Sequence, residues 1–214
     1  MTPFPPWTAR LGPLLPVAAV AVLVYMVALV WYGASPKTTD VGYAPVQPVP
    51  FSHALHAGKM GLDCRYCHST VERAAYAAVP PAETCMNCHA RVRADSAKLA
   101  PVRESFATGK PVEWVRVHDL PDYVYFNHSA HVSRGVGCVS CHGRIDTMER
   151  VRQVNTLAMG WCLECHRAPE GHLRPQDQIT NMNWQPSGDA VDFGTRIREA
   201  NHVKPSTDCS TCHR

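Results

Sequence analysis

Ten cysteines fall into five pairs, Cys64/Cys67, Cys85/Cys88, Cys138/Cys141, Cys162/Cys165 and Cys209/Cys212, always with two residues between them. Each second cysteine is followed by a histidine: His68, His89, His142, His166 and His213. No cysteine is left over. With 12 histidines in 214 residues, five such neighbours by chance come to roughly one in two million. A disulfide scaffold needs no histidine after each pair. A zinc ribbon uses two C-x-x-C knuckles per metal, so five pairs would strand one. Covalent c-type haem accounts for every position. Two thiols reach the vinyl groups on one porphyrin edge, and the next imidazole meets the iron from below. The pattern predicts five haem c groups held by the ten cysteines, with the five histidines as proximal iron ligands.

This expectation settles what fills the interior. The chain has 18 prolines and only 5 phenylalanines, poor material for a conventional core. Five macrocycles would supply the missing apolar volume. The expected fold class is a multihaem cytochrome c: mainly short α-helices and irregular loops around five covalent haems, little β, and one N-terminal transmembrane helix. Net charge is +3, without a basic run or an aromatic-interleaved basic patch, so nucleic acid is excluded as a partner.

Leu14 to Gly33 has no charge over its length, enough to cross a bilayer as a helix. Trp31 and Tyr32 sit at its outer end as interfacial aromatics, and Arg10 flanks the inner end. A cleaved signal peptide is the alternative, but no good A-x-A site follows the run. The expectation is a single-pass protein of the bacterial inner (cytoplasmic) membrane. Residues 1–13 would be cytoplasmic, 14–34 the transmembrane anchor in the lipid bilayer, and 35–50 a proline-rich linker. Residues 51–214 would form a pentahaem domain in the periplasm, where c-type haem is attached.

That domain contains a repeat. FSHALHAGKMGLDCRYCH, from Phe51, and FNHSAHVSRGVGCVSCH, from Phe126, both read Phe-x-His-x-x-His, a glycine-containing turn, then C-x-x-C-H. The gap from second histidine to first cysteine is eight residues in one copy and seven in the other. Each copy leads on to another haem motif. The domain therefore divides into two-haem repeats at 51–125 and 126–172, with a fifth haem over 173–214. His53, His56, His128 and His131 are expected as distal iron ligands. Their i, i+3 spacing puts both imidazoles of a pair on one helix face, so one segment serves two neighbouring irons. Phe51 and Phe126 are expected to pack on rings. For the fifth distal position, Met148, Met159 and His202 are the candidates. His118 and His172 have no repeat support and read as surface residues. Elsewhere, the spacing predicts a short helix interrupted at Pro101, a short strand over Val112 to Val117, and a loop over Ala168 to Pro205.

Irons with both axial positions filled have no site for substrate. Electron transfer is therefore expected, and a catalytic role is not. The tetrahaem quinol dehydrogenases carry C-x-x-C-H-x-x-M after the first motif. Here the matching positions are Val71, Val92, Ile145 and Pro169, so that pattern is missing.

The N-terminal helix, FSHALHAGKMGLDCRYCHSTVE, VPPAETCMNCH, DYVYFNHSAHVSRGVGCVSCHG, MGWCLECHR and DCSTCHR together resemble the pentahaem cytochrome c membrane subunit of bacterial Alternative Complex III, a quinol:electron-acceptor oxidoreductase. The resemblance covers most of the chain. It implies partners in the same complex: an iron–sulfur subunit, polytopic quinol-binding membrane subunits and a monohaem cytochrome c subunit. It also implies that electrons leave toward a periplasmic cytochrome, copper protein or terminal oxidase, and that quinol oxidation does not occur on this subunit. The alternatives are a membrane-anchored multihaem quinol dehydrogenase partner of a periplasmic reductase, or a catalytic multihaem enzyme.

Overall fold

The computed structural model describes residues 12–213 together with Pro5, Thr8 and Arg10. Most of the cytoplasmic stretch expected over 1–13 therefore lies outside the described residues. The chain divides into two units, Met1–Asp40 and Val41–Arg214.

The first unit is dominated by helix α1, Leu14–Gly33, whose side chains are all exposed. Its twenty residues span about 30 Å, the thickness of a bilayer's hydrocarbon core. It is apolar on every side, with a mean hydropathy of 2.5, and is the one helix among the described residues long and apolar enough to cross a membrane. The Tyr32 carbonyl accepts from the Ser35 N–H and from the Ser35 and Thr38 hydroxyls, both hydroxyls at 2.7 Å, and α2, Pro36–Thr39, follows.

The second unit is built from short helices and loops, with no strand among the described residues; only two isolated bridges occur, Val124 with His213 and Val136 with Leu173. All five C-x-x-C pairs lie on helical turns: α3 (Cys64–Cys67), α4 (Ala82–His89), α7 (Cys138–His142), α8 (Met159–Arg167) and α10 (Cys209–Cys212). Three-residue spacing on a helix sets both thiols of a pair on one face. Between these turns lie α5 (Ala100–Thr108), α6 (His128–Val132) and α9 (Ala190–Ala200).

The two copies of the repeat differ by one residue, and the backbone absorbs the difference. His128–Val132 is α-helical, whereas Ala54–Lys59 after His53 is a π-helical turn, a geometry that accommodates an extra residue. The turn packs closely on its neighbour: a Cβ at Gly58 would sit 2.2 Å from the Asp146 carbonyl oxygen.

Three local expectations are corrected. Pro101 starts α5 rather than interrupting a helix, because the first turn has no use for its missing N–H. Val112–Val117 is not a strand: Trp114 N–H donates back to the Val112 carbonyl at 2.9 Å, and the Gln47 side-chain amide pairs with the Val115 backbone at 2.8 and 2.9 Å. The loop expected over Ala168–Pro205 contains α9, capped by Asp189, whose carboxylate accepts from the Val191 and Asp192 N–H groups. Within the stretch read as a linker, Gly42 and Tyr43 exchange backbone hydrogen bonds with Gln153, and Val49 is buried.

The buried apolar side chains among the described residues are Val49, Val102, Val132, Met148, Leu173, Ile179, Met182 and Val203. None is aromatic. A unit of this size held only by these would bury far too little apolar surface to offset its conformational entropy.

Candidate functional site

The histidines of the motifs and of the repeat share one hydrogen-bonding habit. Nδ1 of His68 lies 2.8 Å from the Ala78 carbonyl, that of His89 2.9 Å from Val92, and that of His166 2.6 Å from Ser206. His213 makes the same contact with Tyr123 at 3.3 Å. In the repeat, His56 meets the Ser52 carbonyl at 2.9 Å, His128 that of Ala75 at 2.8 Å, and His131 that of Asn127 at 2.7 Å. A carbonyl can only accept, so Nδ1 must carry the proton. Nε2 is then left with its lone pair, the state that binds a metal. The two exceptions are His53 and His142, whose Nδ1 atoms are buried without a partner. Burial, with help from neighbouring imidazoles, lowers His53 to about 4 and His142 to about 3. Both are therefore neutral and able to ligate.

The rings are also paired. Two imidazoles facing each other across one iron, each nitrogen about 2 Å from the metal, have centroids about 6 Å apart. His56 and His89 are 6.2 Å apart, His131 and His166 6.0 Å, and His128 and His142 6.4 Å with planes only 8° from parallel. His53 lies near His68. Phenylalanine fixes these rings in the same way in both copies. Phe51 stacks on His56 at 4.3 Å and meets His53 edge-on at 4.9 Å; Phe126 stacks on His131 at 4.5 Å and meets His128 edge-on at 4.8 Å.

No disulfide joins any of the ten cysteines. Cys64 lies beside Cys138, while Cys67 lies near Cys85, Cys141 near Cys165, and Cys162 near Cys212. Burial pushes Cys141 up to about 11. The loop around residues 176–181 clips the first and third motifs together. Thr180 donates to the Asp63 carboxylate at 2.7 Å, and the Ile179 carbonyl accepts from the Cys138 N–H at 3.1 Å. Asp63 is also the N-cap of α3, accepting from the Arg65 N–H at 2.8 Å.

The three candidates for a fifth distal ligand lie apart. Met148 is 4% exposed, and its carbonyl accepts from the Ala54 N–H at the π-helical turn. Met159 is 66% exposed and opens α8, the helix whose Cys162 neighbours Cys212. His202 is exposed, with a left-handed φ of 51°. His172 is exposed as expected, but His118 is not a surface residue: it is half-buried, and its Nε2 is enclosed. No repeat marks His118, so sequence spacing carried no signal for it.

These donors suit a planar cofactor. Among the described residues, no three His, Cys, Asp or Glu side chains converge on one point. They come instead as pairs of imidazoles 6.0 to 6.4 Å apart, which suits a ring bringing its own equatorial nitrogens.

The sequence matches the family "Cytochrome c7 and related cytochrome c" over residues 49–104 and 124–214. It is also similar to the menaquinone reductase multiheme cytochrome c subunit of Nitratidesulfovibrio vulgaris (strain Hildenborough), 37% identical over 97 residues. That match spans 45% of this chain and 45% of that protein, so the chain covers under half of the relative's length. Matched over most of its residues, the chain belongs to the family of cytochrome c7 and related cytochromes c, multihaem proteins that hold haem c covalently.

Proposed function

We propose that this protein is an electron-relay subunit with five haem c groups, anchored by α1 in the bacterial cytoplasmic membrane with its haem unit in the periplasm. The observation that carries the reading is the set of opposed imidazoles, each pair spaced for one shared iron. The ten motif cysteines form the thioethers, and His68, His89, His142, His166 and His213 are the proximal ligands. His53 serves the first motif's iron, His56 the second, His128 the third and His131 the fourth. The fifth distal ligand is Met148, Met159 or His202. The nearness of Cys162 to Cys212 favours Met159, which lies on the same helix as Cys162. Haem, when bound, supplies reversible one-electron chemistry at its iron. The histidines would hold each haem iron from both sides and leave no open site for substrate, so in this reading the subunit would catalyse nothing by itself.

The thiol contacts support one order of sites in space. The second motif adjoins the first, the first the third, the third the fourth, and the fourth the fifth. The two exposed thiols, Cys88 and Cys209, belong to the second and fifth motifs, the ends of this series. A line of sites with both ends at the surface is the form a relay needs.

The wider reading is a place in Alternative Complex III, beside an iron–sulfur subunit, polytopic quinol-oxidising subunits and a monohaem cytochrome c. The relative's name supports a quinone-linked membrane complex. It also favours a second reading, in which electrons run toward menaquinone. Midpoint potentials above the menaquinone couple support the first direction, and potentials below it the second.

His128→Ala tests the ligand reading. It is expected to make one haem high-spin while the intact mass still shows five haems attached. Unchanged spectra would refute the assignment at that position.

A further inference from the structure

Residues 105–123 fall between the two segments that match the family, and His118 from this stretch reaches the third site. Its ring lies 4.5 Å from that of His142 and nearly perpendicular, at 82°. The Nε2 of His118 and the Nδ1 of His142 are both buried, and both lack a hydrogen-bond partner. At the other four motifs the equivalent Nδ1 donates to a backbone carbonyl of Ala78, Val92, Ser206 or Tyr123. The third motif has no such carbonyl. An imidazole Nε2 can offer a lone pair to a neighbouring N–H. The two atoms are not hydrogen-bonded in this structure, but their rings touch, and a small rotation of His118 pairs them and relieves two buried unpaired atoms at once.

We infer that His118 is a positioning residue for the third haem, its Nε2 accepting the Nδ1–H of His142 in place of a carbonyl. This rests on the relay reading, in which His142 is an iron ligand. The acceptor fixes the tautomer and orientation of His142 and makes its Nε2 a stronger donor to iron. A more electron-rich ligand favours the ferric state and lowers the potential of that site alone. Four sites then share a carbonyl acceptor, and the third, at the middle of the series, is set apart by an imidazole.

The test is a potentiometric titration, followed by EPR, of the full-length protein carrying His118→Leu or His118→Gln. Leucine offers no acceptor and glutamine offers a carbonyl. The expected result is an upward shift of one of the five potentials in His118→Leu, with all low-spin signals kept, and its reversal toward wild type in His118→Gln. Five unmoved potentials in His118→Leu would overturn the inference. A new high-spin signal would also overturn it, by making His118 an iron ligand. A wild-type chain lacking haem on the third motif would overturn the relay reading and this inference together.

Discussion

At the scale of single residues, the work is done by small orientating contacts around each motif. Asp63 is the clearest example. It caps α3, binds the Arg65 guanidinium at 2.9 and 3.0 Å, and receives Thr180 from the loop that also holds Cys138. The Arg65 hydrogen bonds hold its carboxyl at about 2, against burial and with help from Thr180. A depressed folded pKa means that the ionised form stabilises the fold above the ordinary value of 3.8, and that this contribution is lost as pH falls toward about 2. The pair is largely exposed, so the effect is modest. Thermal midpoints of wild type are expected to fall more steeply over that window than those of Asp63→Asn; parallel curves would show that the contact does not stabilise the fold. The proposed attachment cysteines and proximal histidines can be read straight from the sequence, because C-x-x-C-H spans five consecutive residues. The partner of each Nδ1 cannot, because carbonyls come from anywhere the chain passes. His118 shows the limit: its meaning depends on a contact with His142, and nothing near it in sequence announces that neighbour.

At the scale of elements, the repeat was readable and its backbone was not. Equal Phe-x-His-x-x-His spelling predicts equal ring geometry, and the stacking distances agree between copies to within a few tenths of an ångström. The one-residue difference before the cysteines could have been taken up in the turn; instead it widens the first copy into a π-helical turn. Helix α9 was hidden by its surroundings. Asp189 is a good cap and Phe193 and Ile197 are one turn apart, but proline, glycine and asparagine upstream pointed to a loop. The helix matters because the segment after it brings the Ser206 carbonyl to His166. Gly194 lets α9 lie against residues 170–172: a Cβ there would stand 1.8 Å from the Glu170 carbonyl oxygen. Arg198 and Glu170 pair across the same contact. Gly194→Ala is expected to lower stability by about 1–3 kcal/mol in thermal unfolding. Gly160→Ala, with nothing within 4 Å of the added atom, serves as the neutral control.

At the scale of the whole molecule, the unit that carries the ten cysteines and the paired imidazoles has few buried apolar side chains of its own, and the proposed relay orders its five motifs in one series. The shortage of large apolar residues already pointed to an interior filled by macrocycles. Order in space was not legible, because the link from first to third motif is made by a distant loop through Thr180 and Ile179. The central claim is that the protein holds five haems with saturated irons and passes electrons without chemistry of its own. EPR-monitored potentiometric titration of the native, membrane-extracted protein tests it most directly. The account predicts five low-spin centres, at least four with the signature of two axial histidines, each taking up one electron reversibly. A high-spin centre that binds an added ligand such as cyanide, or fewer than five centres, would contradict it.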